Sequence, residues 1–281
     1  MPTDNSAAVG SEEIPAARGA ADGPAARGAA DGPAARGAAD GPAARGAADG
    51  PAARGARAVD LRQEIESALP RAHARLVALV RELDPGLAGR RVAATPEWTV
   101  GELVAHVLTV YRRALGDRRR SASPAETAAL NATVLAETPE RDLTVLAELL
   151  DQDGPAGFAV LRAFPSEMSF RFHGGTRATV TPVSSVILAE ILIHGRDLAE
   201  ATDTEWVIPP DEAALVLAGT SLPGPDGGPP IFAPWLKPGG EQALAATAST
   251  DDPVGALTTF FRRTAPTTPE AVALSQALRS F

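Results

Sequence analysis

From Val59 to Leu83 the apolar residues fall at Leu61, Ile65, Ala68, Leu69, Leu76, Leu79, Val80 and Leu83, the spacing of a helix with one buried face. Pro70 marks a kink or break in that run, and Asp84-Pro85-Gly86 closes it. A second helix is announced by Trp98-Thr-Val-Gly-Glu102, in which Thr99 is the N-cap and Glu102 the third helical residue of a capping box. Val100, Leu103, Val104, Val107, Leu108, Tyr111 and Leu115 supply its apolar stripe, which ends at the basic run Arg118–Arg120. Three further helices open with a cap followed by proline, at Ser123-Pro124, Thr138-Pro139 and Thr181-Pro182. The first two frame segments ending near Ala136 and Leu150.

The pattern switches to alternation over Met168–Val180, around Gly174-Gly175, which predicts a short β-hairpin. Beyond Asp203 the periodicity weakens. A helix over Pro210–Gly219, a Pro/Gly-rich loop over residues 222–240, and two last helices capped at Asp252-Pro253 and Thr268-Pro269 are expected. The fold class is therefore mainly α: a four-helix bundle with a short β-hairpin before the last bundle helix, plus a small helical C-terminal extension.

Composition divides the chain. From Pro15 the nonapeptide Pro-Ala-Ala-Arg-Gly-Ala-Ala-Asp-Gly occurs four times in full, up to Gly50, and a fifth copy decays from Pro51. Nothing in the unit is larger than alanine on the apolar side, so it lacks the surface to offset its ordering entropy. Residues 1–57 are expected to form a disordered tail, residues 58–203 the bundle, and residues 204–281 the extension. The tail holds seven acids and six bases, which leaves 28 acids against 20 bases in the body. An acidic body argues against nucleic acid and anionic membrane as partners. There is no cysteine, which removes disulfides, thiolate metal sites and a protein-thiol nucleophile. With no long apolar window and no secretory signal pattern, a cytoplasmic protein is expected.

The chemistry concentrates at Val186–His194, the most apolar stretch of the chain. Glu190 and His194 lie one turn apart there, on a stripe otherwise made of Val183, Ile187, Ile191 and Leu198. A carboxylate on such a face is costly to bury uncompensated. Either the pair satisfies itself, or a divalent cation compensates it, since carboxylate oxygen and imidazole nitrogen are ordinary zinc ligands. Spacing alone is weak evidence: acids make up 35 of 281 residues, and His106 also has one four places before it, Glu102, which the capping box explains. His106 lies on an edge with Leu103 and Val110, so it too can face the bundle interior. His106, Glu190 and His194 together would make a three-ligand metal site with an open position. Asp197 either orients the His194 ring from behind or pairs with Arg196 or another base. His173 reads as a turn residue beside the hairpin glycines, and His73 as a surface residue.

Trp98-Thr-Val-Gly-Glu-Leu-Val-Ala-His106, the hairpin Phe170–Val180, and Glu190-Ile-Leu-Ile-His-Gly-Arg-Asp-Leu-Ala199 together resemble the metal-binding domain of mycothiol-dependent maleylpyruvate isomerases, among the DinB-like four-helix bundles. The likeness covers residues 58–203. It implies that His106, Glu190 and His194 bind a divalent ion, zinc in the isomerase, with mycothiol as thiol cosubstrate and a small electrophile as substrate. Related thiol transferases use a His-x-x-x-His pair, and Glu190 in place of the first histidine points to the mycothiol branch. The isomerase's second, α/β domain has no recognisable counterpart in residues 204–281, where Arg262-Arg263 suits either an acidic substrate or an amphipathic helix end. A non-catalytic metal-binding bundle, for sensing or sequestration, is the competing expectation.

Overall fold

The computed structural model describes residues 51–280; the nonapeptide repeats up to Gly50, and the disorder expected of them, lie outside the described residues. The first helix, α1 (Pro51–Glu82), opens ahead of Val59, so the last residues assigned to the tail are helical. Proline at the first helical position followed by alanines and arginines accounts for the earlier start. Pro70 does not break α1. Its ring is on the exposed side, while Ala68, Leu69 and Ala72 beside it are buried, so packing holds the helix through the missing hydrogen bond.

A two-stranded ribbon that periodicity did not predict, β1 (Arg91–Val92) and β2 (Thr95–Thr99), then leads into α2 (Val100–Ala114). The capping box is formed as expected: Thr99 N–H donates to Glu102 Oε2 at 2.8 Å and Glu102 N–H to Thr99 Oγ1 at 3.3 Å. Helix α3 (Pro124–Ala136) follows its Ser123-Pro124 signal. Helix α4 (Leu143–Ala163) corrects two readings. It is capped by Asp142, whose Oδ1 accepts from Thr144 and Val145 N–H, rather than by Thr138, and it runs past Leu150 through Gly154-Pro155. Pro155 is exposed, and Gly154 is required by a close approach: a Cβ there would lie 2.5 Å from His73 Cε1.

His73 is accordingly not a surface residue. It is 4% exposed, its Nδ1 lies 3.1 Å from the Tyr111 hydroxyl, and its ring meets Tyr111 and Phe158 edge-on. The sequence around it is charged, but the notch at Gly154 and the buried phenol give the imidazole an interior seat.

The hairpin β3 (Ser169–Arg171) and β4 (Arg177–Thr179) pairs Phe170 with Ala178, with a turn at His173–Gly175. Gly174 and Gly175 have φ of 70° and 78°, the left-handed region that makes glycine necessary there. Helix α5 (Val180–Thr202) starts just before the predicted Thr181-Pro182 cap, with Thr179 in the cap position. Helices α1, α4, α2 and α5 pack around a shared core in that cyclic order, with α3 against the outside of α2.

The extension contains α6 (Pro210–Thr220), α7 (Glu241–Thr247), α8 (Pro253–Phe260) and α9 (Pro269–Ala277), of which α7 had no sequence signal. Helix α6 packs on α5 and α1. A separate apolar cluster joins the extension to the hairpin and the start of α5 through Ile231, Phe232, Leu236, Phe260, Ala178 and Val186. Among the described residues no helix is long and apolar enough to cross a membrane.

Candidate metal centre

His106 sits in the second turn of α2, and Glu190 and His194 sit mid-way along α5; the packing of these two helices brings the three predicted residues together. One ligand atom from each lies within 4.8 Å of the others. Both imidazoles address the same carboxylate oxygen: Glu190 Oε2 is 2.9 Å from His194 Nε2 and 3.4 Å from His106 Nε2. The two histidine rings meet nearly at right angles, with centroids 5.2 Å apart. Trp98, at the end of β2, lies against His106 at 4.6 Å between ring centroids and forms an apolar lid on the pair.

Asp197 stands behind His194. Its Oδ2 is 3.1 Å from His194 Nδ1, which leaves Nε2 to face Glu190. The base that neutralises Asp197 is not Arg196 but Arg263, beyond the end of α8: Nε donates to Oδ1 and Nη2 to Oδ2, both at 2.7 Å. This two-bonded fork reaches a carboxylate that is 1% exposed. Arg263 is therefore committed to the site's back wall, whereas Arg262 is exposed, at φ 58°, and bonds the carbonyl of Arg279.

Electrostatics follow from the packing. Burial pushes the Glu190 carboxyl up, but hydrogen bonds from His106 and His194 outweigh it and hold it well below the usual carboxylate range. Burial alone would lower His194; its bonds to Asp197 and Glu190 reverse that and raise it to about 9. His106 is pulled down by burial, beyond what Glu190 restores. Burial likewise pushes Asp197 up, and His194 and Arg263 more than offset it. Beside Arg263, the two carboxylates call for one further positive charge at the triad, which a proton on His194 or a cation can supply.

Glu190 also reaches a cavity of about 360 Å³ between the end of α2, the C-terminal part of α4, the hairpin and α5. Its walls combine Phe164, Phe170 and Ile187 with Arg113, Arg120 and His173. Sequence reasoning placed His173 in a turn, which holds, but missed that it is 6% exposed and part of this wall. It also missed Arg120, read only as part of the basic run Arg118–Arg120, and did not single out Arg113. Only Arg113, two turns after His106 on α2, hinted at a shared site; Arg120 lies beyond the end of that helix.

Residues 69–199 match the family model described as the mycothiol maleylpyruvate isomerase N-terminal domain. The match spans 131 of the 281 residues, all of them within the helical bundle and the hairpin. The match holds the three clustered residues His106, Glu190 and His194, together with Trp98, the hairpin and Asp197, and stops before Arg263. No curated protein and no solved structure gives a match to the chain.

Proposed function

We propose that His106, Glu190 and His194 hold one divalent cation, zinc by the chemistry of the donors, and that the protein uses mycothiol in an isomerisation or thiol transfer on a small electrophile. The observation that carries this reading is that two imidazole Nε2 atoms converge on one oxygen of a buried carboxylate, while the rear nitrogen of His194 is taken by Asp197. Two nitrogens and one oxygen suit zinc, and three protein ligands leave a coordination position free. Bound there, such an ion supplies a Lewis acid beside which a thiol persists as thiolate at neutral pH, the nucleophile a cysteine-free chain cannot provide itself.

This chain's own residues set the rest of the chemistry. Asp197, held by Arg263, fixes the ring orientation of His194. Trp98 excludes water from one side of His106. The cavity beside Glu190 offers room for a small organic molecule. That cavity supports an enzyme over a sequestering bundle, as does the engagement of Asp197 away from the triad, where it does not serve as a fourth ligand.

Metal analysis of the purified protein beside a His106→Ala, Glu190→Gln double variant tests the assignment. About one equivalent of zinc or a similar ion is expected in the wild type and none in the variant, with helix content retained. Wild-type protein that stays metal-free and resists loading with excess zinc would leave only a buried Glu–His pair, and the thiol chemistry would go with the metal.

A further inference from the structure

His173 has a use that the triad does not give it. Its Nδ1 lies 3.1 Å from the backbone nitrogen of Ser121. A backbone N–H only donates, so Nδ1 carries the lone pair and the ring proton is on Nε2. Nδ1 is also 3.2 Å from Ser121 Oγ, and that hydroxyl accepts from Gly174 N–H at 3.3 Å, so the loop and the hairpin turn hold the ring from one side. The Nε2–H at the ring's far end is buried and has no hydrogen-bond partner among the described residues. A buried donor without a partner is uncommon in a packed interior and calls for an acceptor.

The surroundings say which acceptor. His173 shares the cavity wall with Glu190, Arg113 and Arg120. Arg113 spends one N–H on Asn131 Oδ1, and Arg120 bonds the carbonyls of Asp117 and Arg119, so both guanidiniums retain donors. The acids of the wall are Asp117, paired with Arg119, and Glu190, held by the two histidines. In a chain of net charge −9, this cavity gathers positive charge and N–H donors. Burial, then Arg113 and Arg120, hold the His173 imidazole down to about 4, so at neutral pH it is an uncharged donor.

We propose that His173 Nε2–H binds an acceptor oxygen of the substrate, carbonyl or carboxylate, in the cavity beside Glu190, and so selects electrophiles that carry such an oxygen. A site built around a buried donor discriminates strongly against an analogue without the acceptor, because the donor is then left unpaired. The proposal rests on the functional reading above only in sharing its cavity.

The test uses full-length, metal-free protein in EDTA, labelled with ¹⁵N at histidine, and sodium pyruvate as the probe. Long-range ¹H–¹⁵N correlation, with His173 assigned through its backbone, is expected to show the Nε2–H tautomer at pH 7 and still at pH 5.5. Pyruvate is expected to shift that Nε2 resonance saturably. His173→Phe should weaken pyruvate binding at least tenfold, and His173→Gln, which keeps an N–H, should recover part of the loss. An Nδ1–H tautomer or an imidazolium at pH 7, no saturable shift with pyruvate, or equal binding by His173→Phe would each overturn the proposal. Because no metal is present, these outcomes stand apart from those of the zinc analysis: failure to load zinc would sink the metal assignment alone.

Discussion

Replacing Arg263 with methionine isolates the contact between the extension and the triad. The substitution keeps the aliphatic length and removes both 2.7 Å bonds to a carboxylate that is 1% exposed. Breaking a fully buried ion pair from one side costs about 3–5 kcal/mol, because the remaining charge stays buried. Here Arg263 keeps 15% of its side-chain exposure and His194 still faces Asp197, so the cost falls just below that range, at about 2–3 kcal/mol. For a folded body of this size each kcal/mol lowers Tm by roughly 2–4 °C, which gives a fall of about 5–10 °C. Melting should be followed by circular dichroism in EDTA, so that metal linkage does not enter. Arg263→Met, Asp197→Asn and the double variant then form a cycle with an expected coupling of about 1–2 kcal/mol. In zinc competition against a chelator, Asp197→Asn should weaken binding by roughly 10–100-fold, the usual effect of disturbing a residue that orients a metal-ligating histidine. An Arg263→Met protein melting within a degree of wild type would refute the argument that this pair is a buried tie.

Two other perturbations test the packing and the charge. Gly195→Ala would gain about 1 kcal/mol of helix propensity, but its Cβ would overlap the six-membered ring of Trp206, which is fixed by its own Nε1–H bond to Leu192 O at 3.0 Å. Overpacking of about 1–3 kcal/mol should win, so Tm should fall, and a rise would show the indole moves freely. The second concerns pH. Because His173 is held at about 4 against an ordinary 6.5, the unfolded chain binds its proton more readily than the folded one. Its contribution to stability is full above 6.5 and is lost as pH falls toward 4. Denaturant melts of wild type and His173→Gln across that window should show the variant with the shallower loss, and parallel profiles would contradict a neutral buried ring.

The bundle and the clustering of His106, Glu190 and His194 were readable because each rests on local periodicity. Glu190 and His194 interrupt an apolar stripe, and His106 lies on the edge of another, so helix geometry alone pointed them inward. What escaped was set by contacts distant in sequence. His73 looks exposed until Gly154, on another helix, is seen to make room for it. Asp142 competes with Thr138 as a cap on nearly equal local signals, and only the register of Leu143, Leu146 and Leu150 against the core decides between them. Arg263 reads as any helix-end arginine because its partner is 66 residues away.

That last contact changes how the extension is to be understood. Arg263 backs His194 through Asp197. Trp235 and Pro234 of the same extension come within 3.0 Å of where a Cβ on Gly174 would fall, against the turn that carries His173. Thr176, also in that turn, donates to the carbonyl of Ile231 at 3.4 Å. The extension therefore braces two walls of one site, the rear of the His194 ring and the donor side of the cavity, although the family match does not include it. A ligand bound between Glu190 and His173 would be held by helix and hairpin together. Any shift of the extension would then disturb both the Arg263–Asp197 tie behind His194 and the seat of the turn that carries His173.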